Sequence, residues 1–353
     1  MNTSKKEVYC RKVNNSVDCL ADKDGKLNFG TYNKAIPQIN MIEARRPLGY
    51  PAFKRFEKFR LKEWEAFQAG NERLFIFGAI YNAKLSGIIC LNVYDREYKK
   101  MYKINKIINS SKIKVASGLL DTETKCETKN ISMHFYNNLK ENEIKIISDI
   151  RKTKVSPEIN LDIKGYHTSE PIVTCQPFYK NRGLYSHKSY MTMDGYVILG
   201  EERIDFDIDN SYMIIDDHKG YYPWSLKYDW VTGWGENIEG SAFGFNLTDN
   251  QVNEQKEYNE NCIWIDEKMY PLPPIVVKRN YSDKEVWNIR DEYDMVNIYF
   301  YPETKISIKF NCVLIYTDYE APMGRFEGYF RVNDKQIYVK ECFGMGEKKR
   351  YRI

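Results

Sequence analysis

A chain of 353 residues, 42% of them hydrophobic, suits two domains of ordinary size, or one large one, with a real core. Its 53 basic residues face 49 acidic ones, and a net charge of +4 argues against the concentrated basic surface that a nucleic-acid binder needs. Aromatic side chains make up 14%, led by 28 Tyr, and that favours sheet over helix.

The amino-terminal MNTSKKEVYCRKVNNS lacks the apolar core of a secretory leader, and runs such as LFIFGAIY (74–81) are far too short to span a bilayer. These features predict a soluble, cytoplasmic protein without stable membrane insertion. Eight Cys without a CxxC or a regular spacing read as free thiols, several of them buried.

Residues 1–35 are polar. The first of them are expected to be poorly ordered, and Asp24-Gly25 marks a turn into a short strand. The stretch RRPLGYPAFKRFEKFRLKEWEAFQAG (45–70) is basic and aromatic. Pro47 and Pro51 break helix early in it, and KEWEAFQAG predicts a short helix ended by Gly70. From 73 onward strand patterns repeat: 73–82 and 84–97 as a hairpin, then 100–109, 112–121, 130–138, 144–150 and 158–166. Gly78 and Gly87 inside the first two predict bulges or close backbone approach. Residues 167–191, with Pro171 and Pro177, read as a connection between two sheet systems, and Asp194-Gly195 as a hairpin turn. The last strands fall at 287–303, 305–319, 325–334 and 335–347, the final pair turning at Asn333-Asp334. The lysine-rich stretches 99–113 and 346–352 read as solvated faces.

Acids, a His, a Lys and three of the six Trp crowd into 214–250. On a strand, alternation puts Asp216 and His218 on one face and Asp217 and Lys219 on the other. The same parity groups Tyr228, Trp230, Thr232 and Trp234 against Lys227, Asp229 and Val231. Further on, it sets Asn246 opposite Phe243, Phe245 and Leu247, and places Glu260, Cys262, Trp264 and Asp266 together. Such a stripe beside a carboxylate–imidazole pair could line a ligand pocket; it could equally be core with a structural polar pair at its rim. Which face looks inward is not decided by parity.

No glycine-rich phosphate loop, nucleophile elbow, HExxH or CxxC is present, and four scattered His make a poor metal set, so neither cofactor nor metal is predicted. What remains is acid–base chemistry in apolar surroundings. Asp216, Asp217 and His218 are the candidate catalytic residues; Trp224, Tyr228, Trp230, Trp234, Asn246, Glu260 and Trp264 are the candidate ligand contacts.

The motifs DDHKGYYPW, DWVTGWG, GFNLTDNQ and NENCIWID, in that order, with ARRPLGYP (44–51), RLKEW (60–64), YDRE (95–98) and APMGRFEG (321–328), resemble the DUF2804 family. More distantly, the Asp-His followed by Trp-rich strands is similar to carotenoid 1,2-hydratase-like and AttH-like proteins of the calycin group. The resemblance implies an all-β fold of two tandem lipocalin-like barrel or sandwich domains with few short helices. Their expected extents are 1–210 and 211–353, with the junction between 170 and 220 and a pocket near it. It further implies an apolar partner, isoprenoid, polyene or lipid-like, transformed by a hydratase- or isomerase-type lyase through hydration, isomerisation or cyclisation. A non-catalytic carrier or sensor is the alternative.

Overall fold

Side-chain alternation, not helix propensity, governs the chain. In the computed structural model, which describes residues 9–154, 156–282, 284–312 and 315–352, antiparallel strands build two barrel-like, lipocalin-like units. One holds residues 15–222. The other holds 223–352 together with 9–14.

In the amino-terminal unit the hydrogen-bonded order runs from Lys100–Asn109 through Ser86–Asp95, Leu74–Asn82, Lys62–Gly70, Tyr212–Gly220, Arg182–Leu199, Ile159–Tyr166, Glu143–Ile150, Ile131–Asn138 and Thr122–Glu127 to Ile113–Lys114. Inward residues of these strands, among them Phe67, Ile76, Leu91, Phe135, Ile146, Met193 and Ile215, form one core. Each such side chain contributes about 1.5–3 kcal/mol on leaving water. The 18-residue strand Arg182–Leu199 is the spine. On one side it pairs with Ile172–Tyr179 and then Ile159–Tyr166; on the other, with Tyr212–Gly220 and then Glu202–Phe206.

Several local expectations change. The helix lies at Lys54–Arg60, while KEWEAFQAG is the strand Lys62–Gly70. Glu, Ala and Gln favour a helix there, but a pairing partner on each flank supplies hydrogen bonds and burial that a lone helix could not match. Residues 167–191 are not a linker: they contribute the strand Ile172–Tyr179 and half of the spine, with a register shift absorbing Pro177. Asp194-Gly195 lies inside the spine rather than at a turn. Of 112–121 only Ile113–Lys114 is strand. Gly78 and Gly87 mark close approach: a Cβ at either would lie 2.2 Å from the Phe67 ring or 1.9 Å from Ile113. The expected loose tail lies outside the described residues at 1–8. Beyond them, Arg11 is buried and donates to the carbonyls of Asn259 (2.9 Å) and Asn261 (2.8 Å), and Tyr9 donates to Lys256 O (2.9 Å).

The carboxy-terminal sheet is ordered Lys268–Pro271, Cys262–Ile265, Ala242–Asp249, Ser225–Asn237, Lys335–Arg352, Ile315–Val332, Val296–Cys312, Val286–Arg290, Val276–Asn280. Val231, Phe243, Phe245, Leu247 and Ile263 join Trp287, Phe300, Phe326 and Phe330 in its core. There Phe300 stacks on Phe326 at 4.5 Å, and Phe245 meets it edge-on at 5.0 Å.

Candidate functional site

The strand Tyr212–Gly220 carries polar groups on both faces, and both are buried. Met213 and Ile215 point into the barrel core, so Asp217 and Lys219, in phase with them, point the same way. Asp216 and His218 occupy the opposite face with Lys188 and Ser186 of the neighbouring spine, to which register aligns them. The choice between two buried pairs is therefore answered by both.

On the outer face of the sheet, Asp216 Oδ1 lies 2.8 Å from Lys188 Nζ and 2.8 Å from His218 Nε2. His218 Nε2 also lies 3.0 Å from Ser186 Oγ and 3.2 Å from Lys188 Nζ. Trp64 stacks on the imidazole at 4.6 Å and 13°, and Tyr222 and Tyr81 flank Trp64 at 5.5 and 5.9 Å. Burial alone would raise the Asp216 carboxyl, but His218 and Lys188 outweigh it and hold the group well below the usual carboxylate range. Asp216 is thus held in its ionised form between Lys188 and His218.

Inside the barrel, Lys219 Nζ donates to Asp217 Oδ1 at 2.6 Å. Burial raises Asp217 against the pull of Lys219. Burial and the charge of Asp217 likewise raise Glu65, which accepts from Asn137 Nδ2 at 3.2 Å. His187 beside them is pushed down to about 3 by burial, then by His167 and Lys219, and is therefore neutral; it contacts Ser189 Oγ at 3.1 Å. Asp217 does not join Asp216 and His218.

The predicted ligand contacts fall in the carboxy-terminal unit, on the sheet face opposite its core. Register aligns Thr232, Asn246 and Cys262 in one row and Trp234, Gly244 and Trp264 in the next. Trp230 Nε1 donates to Asn246 Oδ1 (2.6 Å), Asn246 Nδ2 to Glu260 O (2.8 Å) and Thr248 Oγ1 to Glu260 Oε1 (2.6 Å). Trp230, Trp234, Trp264, Asn246 and Glu260 therefore form one buried aromatic and polar face. Tyr228 sits at its end. Its hydroxyl donates to Glu347 (2.9 Å), and Lys349, expected to be solvated, lies among the rings of Tyr228, Tyr319 and Tyr351 at 5.4–5.9 Å. Trp224 lies on the preceding segment, 53% exposed and outside these rows.

Among the described residues no three His, Cys, Asp or Glu side chains gather as metal ligands. His134 is on an outward face between Glu123 and Glu127. Lys188, Ser186, Trp64 and Glu65 complete these two groups without any sequence signal that marks them as site residues. Trp64 ends the RLKEW motif (60–64), but only strand pairing brings it and Lys188 to His218.

A family model described as Domain of unknown function (DUF2804) matches residues 10–353. The chain belongs to the DUF2804 family. No curated protein matches it. Among solved structures, the kievitone hydratase from Nectria haematococca is similar at 10% identity and a TM-score of 0.55, over 81% of this chain and 88% of that one. A crystal structure of CghA with Sch210972 is similar at 9% identity and a TM-score of 0.54, over 83% and 88%. At these identities the likeness is one of fold, and this DUF2804 chain shares with both the all-β, lipocalin-like architecture. No helix among its described residues is long and apolar enough to cross a membrane.

Proposed function

We propose that the protein acts on an apolar small molecule, isoprenoid, polyene or lipid-like, by acid–base chemistry at His218, with Asp216 and Lys188 as its support. The observation that carries this reading is the buried Lys188–Asp216–His218 group stacked against Trp64. A buried ion network of this kind contributes little to stability, because desolvation offsets the mutual attraction. A proton-transfer group in a dry aromatic setting, in contrast, is what protonation of a double bond requires. His218 would deliver the proton to one alkene carbon. Water would then add and lose a proton, a second double bond would close a ring and a neighbouring proton leave, or a neighbouring proton would leave directly; in each case the neutral imidazole takes up the released proton, giving hydration, cyclisation or isomerisation. Asp216 would orient the ring and offset its charge, and Trp64, Tyr81 and Tyr222 would supply apolar and cation-stabilising surface. In the carboxy-terminal unit, Trp230, Trp234 and Trp264, with Asn246 and Glu260, are the proposed contacts for an apolar ligand. The two hydratase- and CghA-type folds named above support an enzyme over a scaffold by analogy of fold alone. A carrier holding its ligand in a barrel lumen is less favoured, because core side chains occupy the inward faces of both barrels.

The test begins with native mass spectrometry and solvent extraction of the purified protein to name the class of any passenger. Isoprenoids and polyenes of that class are then incubated with wild type, His218→Ala and Asp216→Asn. The expected result is a product, gaining one water or isomeric with its substrate, that falls at least about 100-fold in both variants while binding persists. Equal turnover in wild type and His218→Ala would sink the acid–base reading; binding without product in wild type would move it to the carrier.

A further inference from the structure

The stretch 45–60, RRPLGYPAFKRFEKFR, has six basic residues and one acid. The acid, Glu57, is turned inward and ion-paired to Lys54 at 3.3 Å. The outward side chains are aromatic and cationic by turns: Tyr50 is 52% exposed, Phe53 87% and Phe56 44%, with Lys54, Arg55 and Lys58 exposed among them. Phe53, Arg55, Phe56 and Phe59 line a shallow concavity of about 560 Å³, with the Phe56 and Phe59 rings 6.4 Å apart. Three exposed large aromatics in seven residues raise the cost of contact with water, and nothing in the near-neutral composition of the chain demands such a basic run. The positive potential extends inward, where burial, then Arg60 and Lys84, push the Lys62 ammonium down to about 8.

We infer that this loop and helix form a docking surface for an anionic lipid bilayer. Aromatic rings seat at the level of the headgroups and glycerol backbones, where their apolar bodies are covered and their edges stay polar. The interleaved lysine and arginine side chains meet lipid phosphates and carboxylates, each worth about a fivefold gain in binding. A seven-residue helix lies on such a surface and does not insert across it. The site lies next to it: Arg60 at the helix end donates to Tyr222 O (3.1 Å), and Tyr222 stacks on the Trp64 that covers His218. The docking surface stands whether or not His218 performs catalysis.

The full-length protein is sedimented with phosphatidylcholine vesicles containing or lacking phosphatidylserine. Binding is expected only with phosphatidylserine, and is expected to weaken steeply with added salt. Phe53→Ser/Phe56→Ser and Arg55→Glu/Lys58→Glu, all at exposed positions, are expected to melt like wild type and to lose more than about tenfold in binding. No binding to anionic vesicles, equal binding to both vesicle types, or variants that bind like wild type would overturn the proposal. So would binding of single-stranded RNA without binding of vesicles, which would assign the patch to nucleic acid.

Discussion

Lys188 ties the spine to the strand Tyr212–Gly220 through one buried carboxylate. In Lys188→Met that buried carboxylate loses its lysine partner, at an expected cost of about 3 kcal/mol. Adding Asp216→Leu to Lys188→Met removes the buried charge altogether and should return most of that loss, which urea unfolding of the two variants would measure. The interior carboxyls behave in the opposite sense. The folded-state pKa of Glu65 is raised, so its charged form is penalised, and the penalty grows as pH climbs above the usual Glu range of about 4.3. Glu65→Gln should therefore raise the melting temperature at pH 7–8 and lose that advantage near pH 4. For Asp216 the pKa is depressed, so its stabilising contribution is present above the ordinary Asp range and lost as pH falls through the lower folded value. Relative to wild type, Glu65→Gln should therefore gain in melting temperature above about pH 4, whereas Asp216→Asn should lose there and recover only below the ordinary Asp range.

At the scale of single elements, two strands depart from what local sequence implies, the spine Arg182–Leu199 and Lys62–Gly70. Gly195 reads as a turn in sequence, yet it sits in strand with φ +120, and a Cβ there would lie 2.2 Å from Asp162 O. Gly195→Ala meets both a backbone clash and a disfavoured φ and should cost about 3 kcal/mol. Gly240→Ala has φ +82 but open space and should cost about 1 kcal/mol. Chemical unfolding of the pair separates close approach from backbone strain. The helix-prone Lys62–Gly70 is the second case. Its local preference is worth tenths of a kcal/mol per residue, whereas a strand between Leu74–Asn82 and Tyr212–Gly220 buries Phe67 and Ala69 on one face and Gln68 on the other.

Across the whole molecule, residues 9–14 belong to the same unit as the strands from 225 to 352. Arg11, buried and bonded to Asn259 and Asn261, fixes the segment that leads into Cys262–Ile265. Arg11→Ala should leave those carbonyls short of a donor, at about 1–3 kcal/mol, and speed amide hydrogen exchange around 259–262 without altering 62–95. Uniform exchange changes, or none, would show that the amino-terminal segment is not a structural part of the carboxy-terminal unit.

Period-two alternation, frequent turn residues and abundant Tyr, Val and Ile sufficed to read an all-β chain, and the even–odd order of 228–234, 243–247 and 260–264 sorted Val231, Phe245 and Ile263 from Trp230, Asn246 and Trp264, as the core confirms. Those are properties of a residue and its near neighbours, so the sequence by itself determined them. Parity cannot say which face is covered, nor which strands lie side by side. Only the tertiary structure decided that both faces of Tyr212–Gly220 are buried, that Lys188 stands 2.8 Å from Asp216, and that Trp64, more than 150 residues away in sequence, covers His218. Strand pairing brings distant segments together through backbone hydrogen bonds, which carry no side-chain signature. A charged group that depends on such pairing is therefore assembled by the fold, although each of its residues is plain in the sequence.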